Sequence, residues 1–158
     1  MKTPEKKKKK KKGGYIIIAG CGRLGANLAN TLSNVGENVI IIDKDQDAFR
    51  KLSPSFSGIT LTGDATEISV LHNAEIEKAI AVISLTNHDS TNIMVAQLAK
   101  EMFNISEVIA RLYDPERECV YQEFGIDTIC PAVLSMKEID KMLTTIPLGL
   151  TEAGGAAG

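Results

Sequence analysis

The stretch Tyr15 to Asp43, "YIIIAGCGRLGANLANTLSNVGENVIIID", decides the fold. It joins an apolar run, three clustered glycines, a helical stretch, a second apolar run and one aspartate. Gly20, Gly22 and Gly25 fit the pattern G-x-G-x-x-G, and each glycine has its own task. Gly20 permits the tight turn out of a strand, Gly22 leaves the backbone open to a phosphate, and Gly25 lets the following helix pack close to a sheet. That helix would turn free N–H groups and a positive dipole end toward an anion. Asp43 answers the glycines 18 residues past Gly25, at the end of the second apolar run, where a carboxylate accepts ribose hydroxyls and repels a 2′-phosphate. The stretch therefore reads as a site for AMP, ADP, ATP or NAD(H), with NADP disfavoured. Arg23 follows the second glycine, where a guanidinium suits a phosphate and opposes the helix dipole unless an anion is near. Cys21 is read as a small filler of the loop rather than a redox sensor.

The remaining sequence repeats the alternation. "YIIIA" (15–19), "NVIIID" (38–43), "GITLTG" (58–63), "AIAVISL" (79–85), "EVIARL" (107–112) and "DTIC" (127–130) read as six strands, several of them continuously apolar as strands covered on both faces require. Leu24, Leu28, Leu32 and Val35 predict the apolar face of the first helix, which Gly36 ends. "DATEISVLHNA" predicts a short helix. "DSTNIMVAQLAKEMFN" predicts a longer one whose broad face carries Ile93, Met94, Ala96, Gln97 and Leu98, stopped by Asn104. "DPERECVYQEFG" predicts another, with Asp114 as N-cap, Pro115 at its first position and Gly125 at its close. Strands and helices in strict alternation imply right-handed crossovers and an α/β Rossmann fold: a doubly wound six-stranded parallel sheet in the order 3-2-1-4-5-6, with a C-terminal helix. The expected division is an arm at 1–13, a nucleotide-binding domain at 14–131, a crossover helix at 132–147 and a flexible tail at 148–158. The crossover helix, "AVLSMKEIDKMLTTI", carries more apolar residues than one packed face needs, which predicts a partner.

Composition bounds the function. Of 18 basic residues, eight (Lys2 and Lys6 to Lys12) lie in the arm; from Gly13 onward ten face 19 acidic residues. An acidic globule argues against a nucleic-acid partner. The lysine run repels itself and buries nothing, so it is read as a disordered solubilising arm; attraction to an anionic membrane face is the alternative, but no apolar anchor accompanies it. No signal-peptide core and no membrane-spanning run is present, so a cytoplasmic chain is expected. Cys21, Cys119 and Cys130 form no C-x-x-C pair, and His72 and His88 stand alone, so no metal set is proposed.

Two further loops belong at the ligand edge of such a sheet. "TGDATE" carries Gly63, Asp64 and Ala65; Asp64 either accepts from an adenine amino group or caps the next helix in competition with Thr66. "LTNHDSTN" carries Thr86 and Asn87, which line the crevice or cap their own loop. Lys44 follows the strand-end aspartate, and Arg111, at the end of the fifth strand, serves a phosphate or a subunit contact. The candidate nucleotide-binding set is thus Gly20, Cys21, Gly22, Arg23, Leu24, Gly25, Asp43, Lys44, Gly63, Asp64, Ala65, Thr86, Asn87 and Arg111, with no catalytic residue.

"GCGRLG", Asp43, "GDAT", "TNHDSTN", "VIARLYDPE" and "FGIDTICPAVL", in this order, resemble the regulator-of-potassium-conductance (RCK, TrkA N-terminal) family of bacterial Trk and Ktr potassium uptake systems over roughly residues 15–146. The resemblance implies a non-catalytic Rossmann domain, peripheral to the inner membrane, that forms homodimers within a ring, with or without a homologous subunit. That ring would gate an integral-membrane potassium channel or transporter according to the bound adenine nucleotide. It implies phosphate on Gly20, Gly22, Arg23, Leu24 and Gly25, ribose on Asp43, adenine near Asp64 and Ala65, and Thr86 and Asn87 flanking the phosphates. Many relatives carry a second, C-terminal lobe that this chain does not show. The alternative is the cofactor domain of an NAD-dependent oxidoreductase separated from its catalytic domain. Against it, no Tyr-x-x-x-Lys pair is present: Arg117 lies four residues after Tyr113, and Gly125 four after Tyr121. His88, the one base near the crevice, is read as a solvated helix-end residue.

Overall fold

The computed structural model describes residues 13–146 and 148–150; the lysine arm before Gly13, Pro147 and the residues after 150 lie outside the described part. Six strands, β1 (Tyr15–Ala19), β2 (Val39–Asp43), β3 (Ile59–Thr62), β4 (Ala79–Ser84), β5 (Glu107–Arg111) and β6 (Asp127–Ile129), form one sheet in the order β3-β2-β1-β4-β5-β6. Every pairing is parallel, with Ile17 opposite Ile40 and Val82 at the centre. The described residues form five α-helices, α1 (Arg23–Asn34), α2 (Ile68–Asn73), α3 (Asp89–Gln97), α4 (Glu118–Glu123) and α5 (Pro131–Met142), of which α1 packs on one face of the sheet and α2 and α3 on the other.

The period of two along a strand explains the runs of isoleucine. Ile17, Ile40, Ile42, Val82 and Val108 point into a core shared with Leu71 of α2 and Val95 and Ala96 of α3. Their neighbours Ile18, Val39 and Ile41 point the other way, onto Ala26 and Ala29 of α1. Each such isoleucine, fully buried, contributes about 1.5–3 kcal/mol.

Several local expectations are corrected. The first helix does not bury a leucine face: Gly25, Ala26, Ala29 and Ser33 are buried, while Leu24 and Val35 are exposed. The cause is the close approach at Gly25, where an added Cβ would stand 1.9 Å from the Gly20 carbonyl oxygen, so only small side chains fit between helix and sheet. Leu28 and Leu32 pack at the flank of that contact. In the third helix Met94 is exposed and Val95 buried, and beyond Gln97 the helix widens into a π-turn over Leu98–Met102 before Asn104 adopts φ +51°. Asp114 caps a 3-10 turn, Pro115–Arg117, ahead of α4. The last helix stops at Met142, short of residue 147, and the chain turns back so that Asp140, itself buried, accepts the Leu148 and Leu150 N–H groups at 2.7 and 3.1 Å.

Candidate functional site

The carboxyl ends of β1, β2, β3 and β4 surround one cavity of about 370 Å³, at the reversal of strand order between β1 and β4. A cavity of this size lies within the range of small-molecule sites. Its floor is the glycine loop. Gly20 holds φ +103°, a conformation few side chains adopt, and a Cβ there would meet the Leu85–Thr86 peptide at 2.9 Å. Gly22, in contrast, has an ordinary extended backbone (φ −78°, ψ −167°), and a Cβ on it would meet nothing within 4 Å. Neither backbone strain nor packing within the chain requires glycine at position 22. The open space above it, at the start of α1, is where a phosphate could approach N–H groups that no turn of helix satisfies.

Asp43 ends β2 beside this loop. Its Oδ2 accepts the Cys21 N–H at 2.7 Å and its Oδ1 the Asp45 N–H at 2.9 Å, so the carboxylate pins the glycine loop to the β2 end. Each oxygen keeps a further acceptor site, enough for two ribose hydroxyls. Cys21 is buried beneath the loop, its thiol donating to the Ala48 carbonyl at 3.4 Å; burial, and secondarily the Asp43 charge, push its pKa up, while Lys51 opposes them. The thiol therefore stays protonated and unreactive.

Past β3, Asp64 neither caps α2, whose first turn lacks a side-chain cap, nor stands free. Its Oδ1 accepts from the Thr66 N–H (2.9 Å) and hydroxyl (2.6 Å), and its Oδ2 pairs with Lys44 at 3.0 Å. Those Thr66 bonds first, then Lys44, hold the carboxyl below the usual carboxylate range. On the opposite wall, Thr86 and Asn87 follow β4. The fully buried Asn92 of α3 fixes Thr86: its Oδ1 accepts from the Thr86 N–H and hydroxyl at 2.7 Å each, and its Nδ2 donates to the Thr86 and Arg111 carbonyls at 3.0 Å.

Of the residues expected from sequence, the cavity brings together Gly20, Cys21, Gly22, Asp43, Lys44, Gly63, Asp64, Ala65, Thr86 and Asn87. Arg23, Leu24 and Gly25 do not line it. Arg23 is exposed as the first residue of α1, Leu24 is exposed beside it, and Gly25 lies under the loop against Gly20. Arg111 does not line it either; it is buried one layer below, donating from Nη2 to the Thr86 carbonyl and to Asn87 Oδ1. Lys51 and Thr91 line the cavity without having been singled out, and His88 lines it from the N-cap of α3. Lys51 ends a 3-10 turn, Gln46–Lys51, that carries it back to the site, and the one available signal was a cation a few residues beyond Asp43. Asn92 escaped notice although a polar residue amid the buried positions of a helix was a usable clue.

Among the described residues no group of three or more His, Cys, Asp or Glu could hold a metal ion, and no helix is long and apolar enough to cross a membrane.

Comparison with known proteins agrees with the architecture. The TrkA-N domain model matches residues 16–131. The Trk system potassium uptake protein TrkA of Streptomyces coelicolor is 44% identical over 115 residues, covering 73% of this chain and 52% of its own. Two solved structures of GsuK, each 27% identical, superpose on the fold. The one bound to ADP does so with a TM-score of 0.70 over 83% of this chain and 34% of its own. The GsuK channel bound to NAD gives 0.67 over 84% and 24%. The chain spans about half the length of the curated relatives it matches.

Proposed function

The chain belongs to the TrkA-N domain family, and on that premise we propose that it is a non-catalytic adenine-nucleotide-binding domain that regulates potassium transport. The observation that carries the reading is Gly22, a glycine whose missing side chain serves only the open space of the cavity, set within reach of the ribose-binding geometry of Asp43. The nucleotide lies with its ribose hydroxyls on Asp43, its phosphates on the N–H groups from Gly20 to Gly25 and beside Thr86 and Asn87, and its adenine toward Gly63, Asp64 and Ala65. Arg23, exposed at the mouth, reaches a terminal phosphate by its own flexibility or serves a neighbouring subunit's ligand. AMP, ADP, ATP and NAD(H) all fit this arrangement, and the Asp43 carboxylate disfavours NADP. ADP and NAD in the two GsuK structures support that ligand class.

The reading extends to assembly. Leu134, Met136, Ile139 and Met142 leave α5 with an exposed apolar face, which supports a homodimer, and through dimers a ring, with or without a homologous subunit. Its partner is an integral-membrane potassium channel or transporter, and the chain works at the cytoplasmic side of the inner membrane. Nucleotides of different phosphate length shift the ring between shapes only as far as they contact those shapes differently. The naming of the curated relatives as potassium uptake proteins favours regulation over hydride transfer.

Calorimetric titration with AMP, ADP, ATP, NAD⁺ and NADH, of the chain and of Arg23→Ala and Asp43→Ala, tests the reading. Clear differences among nucleotides that Arg23→Ala erases support a sensor. Binding of NAD(H) alone, indifferent to Arg23, would return the oxidoreductase alternative, as would hydride transfer by the purified chain.

A further inference from the structure

Arg111 is nine-tenths buried, yet none of its contacts among the described residues is an anion. Its Nη2 donates to the Thr86 carbonyl at 2.6 Å and to Asn87 Oδ1 at 3.0 Å, its guanidinium stacks 5.1 Å from the Tyr113 ring centre, and its Nε is buried without a hydrogen-bond partner. A buried charge normally finds an opposite charge, because desolvation otherwise goes uncompensated. Carboxylates are close in the chain but occupied elsewhere. Asp89 accepts the Tyr113 and Asp114 N–H groups at 2.9 and 3.2 Å, and Asp114 pairs with Arg117. Nor is the guanidinium needed to satisfy its acceptors. The Thr86 carbonyl also accepts from Asn92 Nδ2, and Asn87 is exposed to water. What distinguishes Arg111 is its place: both groups it holds, Thr86 and Asn87, line the nucleotide cavity, which therefore lies one residue layer above a buried cation that forms no ion pair among the described residues.

We infer that Arg111 is a charge-selecting positioning residue: its buried guanidinium pairs with no anion among the described residues and receives one when the phosphate chain of a nucleotide settles against Thr86 and Asn87. The inference rests on the nucleotide reading above and adds to it what discriminates among ligands of equal base and sugar. Adenosine gains nothing from Arg111, AMP gains some, and ADP gains most. The ligand-free protein bears the desolvation of this cation, so occupancy stabilises the β4–α3–β5 side of the sheet in proportion to ligand charge.

The test titrates the full chain, and its Arg111→Met and Arg111→Lys variants, with adenosine, AMP and ADP at fixed ionic strength, and records ligand-free melting temperatures. Wild type should bind in the order ADP, AMP, adenosine, with Arg111→Met compressing the ADP-to-adenosine affinity ratio by roughly five- to ten-fold for each phosphate charge added. Arg111→Lys should keep the larger part of that ratio, and ligand-free Arg111→Met should melt at or above the wild-type temperature. A purely structural arginine would instead lower all three affinities together, and that result overturns the inference. So does a ligand-free Arg111→Met that fails to fold, or an Arg111→Lys indistinguishable from Arg111→Met. In wild type alone, equal thermal stabilisation by adenosine and ADP at equal saturation also overturns it. Failure of all three ligands to bind wild type would instead bring down the nucleotide site itself.

Discussion

Gly22 and Gly25, the second and third glycines of the loop, separate folding from binding, and an alanine at each should divide the two effects cleanly. At Gly25 the new methyl would stand 1.9 Å from the Gly20 carbonyl oxygen, a backbone atom that no rotamer change can move, so α1 must lift from the sheet. Overpacking of this kind costs about 3 kcal/mol, which for a domain of this size lowers the melting temperature by about 10 °C. At Gly22 the methyl meets nothing within 4 Å and the backbone, at φ −78° and ψ −167°, suits alanine as well as glycine. Its stability should therefore stay within about 1 kcal/mol of wild type, since reduced freedom in the unfolded chain offsets a poorer N-cap. In the proposed binding mode the methyl would occupy the path of the phosphate instead. Displacing that phosphate loses a charge-assisted hydrogen bond of about 1.5–3 kcal/mol, a drop in ADP affinity of roughly ten- to 150-fold. Thermal melts and ADP titrations of Gly22→Ala and Gly25→Ala provide the assay. A Gly22→Ala variant that binds ADP like wild type would refute the placement of phosphate on this loop, and a Gly25→Ala variant as stable as wild type would refute the close-packing argument.

Asp43→Ala should weaken ADP roughly a hundred-fold or more, and a 2′-deoxy analogue should lose affinity for wild type but not for the variant; equal discrimination by both proteins would move the ribose elsewhere. The Asp64 carboxyl is held below its ordinary value of 3.8, chiefly by Thr66, so the unfolded chain takes up the proton first as pH falls. Its stabilising contribution is present above about pH 4 and is lost as pH drops through its folded value; urea melts should show Asp64→Asn with a shallower acid dependence below pH 4, and an unchanged slope would contradict the assignment. Alkylation at pH 8 should label exposed Cys119 rapidly and buried Cys21 only on unfolding, because desolvation raises the Cys21 thiol above 9.0; rapid modification of Cys21 in the folded chain would contradict its burial. Ile139→Glu, on the exposed face of α5, should convert the expected dimer to monomer in sedimentation, while a wild type that is monomeric at high concentration would remove that face from the assembly.

What could be read from sequence follows from which interactions are local. The strands were legible because a sheet covered on both sides demands apolar residues at successive positions, as in Ile16 to Ala19 and Val39 to Ile42. The glycine loop and Asp43 were legible because a turn, a helix start and a strand end lie within one short segment. The face of α1 was not, since leucine hydrophobicity outweighs alanine on any pattern count while the gap set by Gly25 admits only alanine, glycine and serine. Nor was the polar layer under Thr86. Asn92 and Arg111 stand 19 residues apart and meet only once β4, α3 and β5 are assembled, and nothing in "VIARLYDPE" tells whether its arginine faces ligand, solvent or the underside of a loop. The end of α5 depended on the same kind of information, because the residues that satisfy Asp140 come from the chain beyond the helix.

The two walls of the cavity differ in how far they are complete without a ligand, and that difference bears on regulation. On the β1–β2 side the Asp43 carboxylate already holds the Cys21 and Asp45 N–H groups, so ribose hydroxyls bound there as proposed would add to an arrangement that exists beforehand. Binding there gives affinity at small cost in ordering and little reason for the backbone to move. On the β4–β5 side the Thr86–Asn87 loop is tied through Arg111 and Asn92 to the end of β5, and from there through Asp89 to the Tyr113–Asp114 backbone that leads into α4. If a phosphate settles against Thr86 and Asn87 as proposed, it would bear on this connected unit, whereas a group that touches only Asp43 would not. A nucleotide can shift an equilibrium between two shapes only by contacts that differ between them. On the proposed placement, the phosphate half of the ligand would add to affinity and would also bear, through Arg111 and Asp89, on the backbone that leads into α4, whereas the adenosine half would contribute to affinity alone.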